Sequence, residues 1–304
     1  MVLSVHDVAL LAHDPQAALA PFQAAGFGVT NGAQGTAWVA SPNLFIAVHP
    51  TTTPLPPSAA ERAPNDIGIA HVCLQTGNGE ALWHTMAADG VAFTAPMTSL
   101  GGPIRYAYGR DAEHNLIEIE QVADAPPDPP VWIAHVALVC TDIDRSVDFY
   151  ATLLGNPPHD RGRFANPRAF KAVTGLDDVD VSAAWVMADN LTIELWQYHH
   201  PVSSRGVRLA TDESGYFHIA FEAADLTIER DRLAAADIAS DRYAHWSGNG
   251  SLDALSLLDP DGNRIVIGQH TPPGDRLSLA GLSAPRLVAL RNEAERHPPA
   301  TPAP

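Results

Sequence analysis

Ile133-Ala-His-Val-Ala-Leu-Val-Cys-Thr-Asp-Ile-Asp-Arg-Ser-Val-Asp-Phe-Tyr-Ala-Thr-Leu-Leu-Gly155 is the stretch on which the fold turns. Residues 133–139 alternate as a strand, with His135 near the start. Thr141 or Asp142 can cap a helix that carries Val147, Phe149, Tyr150, Leu153 and Leu154 at helical spacing, and Gly155 stands where a helix C-terminus favours glycine. Working outward, the same pattern recurs three more times, at His6-Asp-Val-Ala-Leu-Leu, Ile69-Ala-His-Val-Cys-Leu and Tyr216-Phe-His-Ile-Ala-Phe. Repeats of this length build a fold from equivalent units, so a histidine in each points to equivalent places in a symmetric molecule. Imidazole is also the commonest protein metal ligand.

Each repeat reads as strand, helix and three strands. After Gly155 come strand-like runs over 183–187 and 191–196. The fourth copy has a helix from Leu226 to Ala236, then strands over 254–258 and 264–267. Between these last two lies Asp259-Pro-Asp-Gly-Asn263, a hairpin signal because Pro presets φ and Asp-Gly-Asn tolerates positive φ. Asp111-Ala-Glu-His-Asn115 takes the same place in the second copy, before Leu116-Ile-Glu-Ile-Glu120. The first copy is the most worn, with a helix from Gln16 to Ala25 and strands near 37–40 and 43–48.

Four prolines in residues 124–130 interrupt the chain. They divide it into residues 1–123, holding modules 1 and 2, and residues 131–270, holding modules 3 and 4. Residues 271–304 read as a peripheral tail in which only 284–297 has helical character. At 304 residues with a formal net charge of −17, the chain lacks the basic surface that nucleic acid or an anionic membrane would require. No apolar run reaches the roughly 20 residues of a membrane span. Two cysteines, Cys73 and Cys140, fit a reducing cytoplasm, and the start shows no basic and apolar leader. A cytoplasmic protein is expected, as a monomer or homodimer.

These modules, with a histidine on the first strand and Asp-Pro-Asp-Gly-Asn before the last, resemble the vicinal oxygen chelate superfamily of glyoxalase I, bleomycin resistance proteins and extradiol dioxygenases. The resemblance runs over about residues 4–270 and rests most firmly on 135–155. It implies an α+β fold of four βαβββ modules closed in pairs into two cupped sheets, each holding one divalent ion between the first and last strands of its modules. Carried over to this chain, residues 1–123 offer His6, His71 and Glu118, with Ala47 at the remaining position. Residues 131–270 offer His135, Glu194 and His218, with Val266 where a glutamate is usual. Each half then has two histidines and one carboxylate, an open triad suited to Fe, Mn, Co, Ni or Zn. Neither has the four-ligand set of glyoxalase I.

Strand parity puts Glu118 opposite Ile117 and Ile119, and Glu194 opposite Ile193 and Leu195. Such a carboxylate faces either solvent or a polar cavity. Tyr108 stands ahead of Glu118 at the spacing of the extradiol enzymes, yet residues 95–107 lack the histidine those enzymes place before it. Arg105 could meet a carboxylate, and His199, His200 and His245 are acid or base candidates for the second half. Cys73 reads as a small buried filler. The reaction expected is isomerisation, epimerisation or lysis of a small vicinally oxygenated substrate through a metal-stabilised enediolate, with Glu118 or Tyr108 as base. The alternatives are extradiol ring cleavage and a non-catalytic, resistance-type cup that binds a small molecule.

Overall fold

A computed structural model describes residues 3–52, 62–165, 167–203, 214–247, 250–269, 271–272 and 274–290. Module 1 consists of β1 (Ser4–Ala12), α1 (Pro15–Ala24), β2 (Gly28–Asn31), β3 (Ala37–Ala40) and β4 (Phe45–Pro50). Module 2 follows as β5 (Gly68–Thr76), α2 (Gly79–Ala88), β6 (Ala92–Phe93), β7 (Thr98–Ser99), β8 (Arg105–Arg110) and β9 (Leu116–Gln121). Module 3 is β10 (Val131–Val139), α3 (Ile143–Leu154), β11 (Asp160–Ala165), α4 (Pro167–Thr174), β12 (Asp180–Met187) and β13 (Thr192–His200). Module 4 is β14 (Gly215–Ala223), α5 (Leu226–Ala235), β15 (Asp241–Ser247), β16 (Gly250–Leu258) and β17 (Arg264–Gln269). The helix expected after β10 forms as read. Asp142 accepts hydrogen bonds from the Asp144 and Arg145 amides, and Gly155 ends the helix in the left-handed region at φ 71°.

The α+β architecture of four modules in two cupped sheets is present, but the modules pair differently from the expectation. One sheet runs β15-β16-β17-β14-β1-β4-β3-β2 and joins module 4 to module 1. The other runs β11-β12-β13-β10-β5-β9-β8-β6 and joins module 3 to module 2. Residues 1–123 and 131–270 therefore do not each close a cup of their own. The proline-rich stretch connects two modules that share a sheet.

The physical reason lies in the hairpins. In the second module Asp111 Oδ1 accepts the Glu113 and Asn115 amides at 2.9 and 2.8 Å, which thrusts Glu113 outward. Its carboxylate then takes the His13 and Asp14 amides, at 2.8 and 3.0 Å, at the start of α1. Asp259 and Asp261 repeat the arrangement in module 4: Asp259 Oδ1 accepts the Asn263 amide at 2.7 Å, and Asp261 takes the Thr141 amide at 3.2 Å before α3. Modules 1 and 2, and likewise modules 3 and 4, are thus held back to back, with the two first strands of each pair in opposite sheets.

Period-two alternation sorts the side chains. Val72, Leu74, Ile117, Ile119, Val136, Leu138, Ile193 and Leu195 turn to one face and enter a large core with Leu19, Phe22, Met86, Tyr150 and Leu153 of the helices. That core also takes Val8, Leu10, Ile219 and Ile267 from the other sheet, so the helix-covered faces share one interior. The opposite faces are the two cups. Residues beyond His270 are not peripheral where they are described. Leu277 and Leu279 pack on Ala9, Trp38, Phe45 and Ala47 inside the first cup, while Leu287 and Leu290 lie against the cluster of Cys73 and Trp132. Residues 284–290 form no helix, because their apolar side chains and backbone are spent on docking. The Leu290 amide donates to Gln75 at 2.6 Å, and the Val288 carbonyl accepts from Trp132 Nε1 at 3.2 Å. Residues 291–297 lie outside the described set.

Candidate metal centre

Two first strands and two last strands meet at the middle of the sheet formed by modules 2 and 3. β5 and β10 run antiparallel side by side; β9 pairs in parallel with β5, and β13 with β10. Register places Glu118 beside Cys73, two residues on from His71, and Glu194 beside Ala137, two residues on from His135. All four side chains therefore leave the sheet on the cup side. One donor atom from each of His71, Glu118, His135 and Glu194 lies within 4.8 Å of the others. An overlapping group of Cys73, Glu118, Glu120 and His135 meets the same limit. Cys73 is fully buried and packs with Trp132 and Ala134.

His135 is the hub. Its Nε2 lies 2.8 Å from Glu118 Oε2 and 3.0 Å from Glu194 Oε2, yet neither ring nitrogen has the geometry of a hydrogen bond. His71 Nε2 lies 3.2 Å from Glu118 Oε2. Trp185 Nε1 donates to Glu194 Oε1 and fixes that carboxylate from behind. All four side chains are buried, so neither glutamate faces solvent.

Electrostatics make this set a cation's environment. Burial would lower the pKa of His135, but the charges of Glu194 and Glu118 overcome it and push it up to about 10. Burial would raise Glu118, and the two imidazoles beside it bring it down instead. Two buried carboxylates need a positive partner, which in the metal-free chain is a proton. Two imidazoles and two carboxylates on one point also form a donor set for a first-row divalent ion. The residues fit the metal that the cup implies.

The cup of modules 1 and 4 is different. By register, the position of His135 in β10 is held in β1 by Asp7, not His6, because Asp7 stands two residues before Ala9 as His135 stands before Ala137. His218 is the counterpart of His71, while Ala47 and Val266 replace the two glutamates. Asp7 Oδ2 lies 3.1 Å from His218 Nε2, and Asp7 Oδ1 lies 2.6 Å from His6 Nδ1. His6 Nε2 meets the Leu277 carbonyl at 2.9 Å. His6 and His218 thus join an internal polar network under the docked tail and do not meet His71, Glu118, His135 or Glu194. The triads expected from pairing modules 1 with 2 and 3 with 4 are replaced by one set of four.

Tyr108 pairs with Glu118 across β8 and β9, and its ring lies 5.0 Å from that of His71. Burial, then the Glu118 charge, hold its phenol well above the ordinary range, so it stays protonated. Arg105 is paired with Glu80 at 2.6 Å. His199 and His200 are exposed, with His199 Nε2 2.8 Å from Ser182 Oγ. His245 belongs to β15, at the edge of the other sheet, away from the strands that carry the cluster. Asp7 and Trp185 are the residues that sequence reading missed. Counting back from the small residue of each first strand would have found Asp7; Trp185 had no signal beyond an aromatic on a strand.

Residues 132–267 match the model of the Glyoxalase/Bleomycin resistance protein/Dioxygenase superfamily. The match spans modules 3 and 4, one from each sheet. Comparison with curated proteins finds no match. Among solved structures, a Glu-to-Gln mutant of glyoxalase I from Zea mays shares the fold over 88% of this chain and 94% of its own, with a TM-score of 0.64 and 15% identity. Glyoxalase I from Zea mays gives 0.62 over 88% and 92%, also at 15% identity. A candidate dioxygenase from Bacillus subtilis gives 0.57 over 89% and 86%, again at 15% identity. Among the described residues no helix is long and apolar enough to cross a membrane. Residues 132–267 thus carry that superfamily's sequence pattern, and the chain shares its four-module fold with the glyoxalase I structures.

Proposed function

We propose that this protein is a metal-dependent lyase or isomerase that moves a proton beside a carbonyl on a small substrate with two neighbouring oxygens. The observation that carries this reading is the buried set of His71, Glu118, His135 and Glu194, with donor atoms within 4.8 Å. The glyoxalase I structures similar in fold support the same reaction class. When bound, a divalent ion would supply Lewis-acid stabilisation of the charge that grows on a chelated carbonyl oxygen. The protein contributes the rest. Trp185 Nε1 holds one oxygen of Glu194, which stays a fixed donor. Glu118 takes the proton from carbon and returns it, since Tyr108 is held protonated by burial and cannot serve as the base. The Tyr108 hydroxyl stands beside the centre as a donor. The cup, buried on every side of the donors, keeps water from competing for the proton.

The second carboxylate also weighs against ring cleavage, which belongs to centres of two histidines and one carboxylate with open positions. Incubating the metal-loaded protein with 2-hydroxy-ketones in D₂O tests the proposal. Deuterium should enter at the carbon next to the carbonyl, and Glu118→Gln should suppress it. No exchange with any divalent ion, although metal is bound, would reject the reading.

A further inference from the structure

The four donors are only 0 to 4% exposed, and α4 lies on the same face of the sheet, packed on β7 and β8 of the neighbouring module. Its two buried apolar residues face the cup. Phe170 lies with Val181 and Tyr198, and Val173 lies with Tyr108 and Leu116. The wall behind Phe170 is aromatic. Its ring is 6.4 Å from that of Trp196, which is 6.3 Å from Trp185 and 6.4 Å, stacked, from Tyr198. This wall is continuous with the centre, because Trp185 is the donor to Glu194. With α4 moved aside, a ligand would enter the place that the Phe170 phenyl group now fills. Among the described residues, Arg105 pairs with Glu80, Arg163 with Asp180 and Lys171 with Asp177. An anionic arm would meet two buried glutamates and an apolar wall.

Resting on the metal-centre reading above, we infer that the substrate is a neutral molecule with an aryl group beside its two oxygens. The aryl ring takes the position against Trp196 that Phe170 occupies in the closed cup. A ring that replaces a ring preserves both apolar burial and the edge or stacked contacts of the wall; a methyl group there leaves a void.

Acetohydroxamate and benzohydroxamate test this directly, since each chelates through two neighbouring oxygens and they differ only in methyl against phenyl. Binding to the zinc-loaded protein is measured by calorimetry and by quenching of tryptophan fluorescence, with each compound's affinity for free zinc subtracted. Benzohydroxamate should bind about 30-fold more tightly, the worth of burying one phenyl group. Trp196→Leu should reduce that preference to about fivefold or less by removing a stacking partner. Phe170→Ala should speed association of both compounds about tenfold, by loosening the closed state. Succinic acid monohydroxamate, with an anionic arm, should bind no better than acetohydroxamate. Equal affinity for the methyl and phenyl compounds would overturn the aryl inference while leaving chelation intact. Failure of both to bind the loaded protein would overturn the metal-centre reading itself.

Discussion

Glu118 and Glu194 come from the last strands of different modules, and their Oε2 atoms flank one imidazole nitrogen, His135 Nε2, at 2.8 and 3.0 Å. Neither carboxylate is on the same module as both histidines, so the centre exists only because modules 2 and 3 share a sheet. Trp185 sets the orientation of one of the pair. Trp185→Phe keeps the ring and removes the donor, and should weaken zinc binding about tenfold, the usual effect of losing a partner behind a ligand. Competition against a chromophoric chelator measures it; unchanged affinity would show that Glu194 needs no such support.

Metal binding should be coupled to protons. The metal-free chain carries a proton on His135, whose pKa is pushed up to about 10 by the carboxylates beside it. A ligand imidazole must be neutral, so each ion that binds at pH 8 should release about one proton from this residue. Calorimetry in buffers of different ionisation enthalpy gives the number. A heat that does not depend on the buffer contradicts the account.

The same residue sets a pH limit on the metal-free fold. A histidine whose pKa is higher folded than unfolded adds stability that is complete below its ordinary 6.5 and is lost as pH rises through about 10. Chemical denaturation of chelator-treated protein should therefore show stability falling between pH 7 and 10. With zinc bound, that fall should be much smaller over the same range.

The tail is part of the folded unit. Leu277 is fully buried among Trp38, Phe45 and Ala47, and its carbonyl accepts from the His6 ring. Leu277→Ala should cost about 2–5 kcal/mol, as other large-to-small core changes do. Val202→Ala, at a residue 71% exposed, should cost nearly nothing. Equal, negligible effects in urea unfolding would mean that the tail does not dock.

Hairpin docking makes a separate prediction. Glu113→Ala leaves the His13 and Asp14 amides without their acceptor at the start of α1 and should destabilise the protein by about 1–2 kcal/mol, the scale of a lost cap. A change below a few tenths of a kcal/mol would show that these contacts do not hold modules 1 and 2 together.

Much of this was legible in the chain itself. Period-two alternation put Glu118 and Glu194 opposite their aliphatic neighbours, and Asp142 and Gly155 bounded a helix, because those signals are local. Pairing was not legible. Which first strand lies beside which depends on carboxylates such as Glu113, whose partners are distant in sequence and carry no motif. The wrong partner turned one set of two histidines and two glutamates into two incomplete triads. His6 misled for a smaller reason: a bulge in β1 between Val5 and Asp7 shifts the register, so the position equivalent to His135 falls one residue later, on Asp7. The apolar residues of the tail gave no period, since they dock as an irregular segment.

A cobalt titration followed by visible absorption, on the parent chain and on Glu194→Ala and His218→Ala, tests the shared centre most directly. Saturation is expected at one ion per chain, retained in His218→Ala and weakened about 100-fold or more in Glu194→Ala, where a ligand itself is lost. Two ions per chain, or loss of the ion in His218→Ala with Glu194→Ala unaffected, would contradict it.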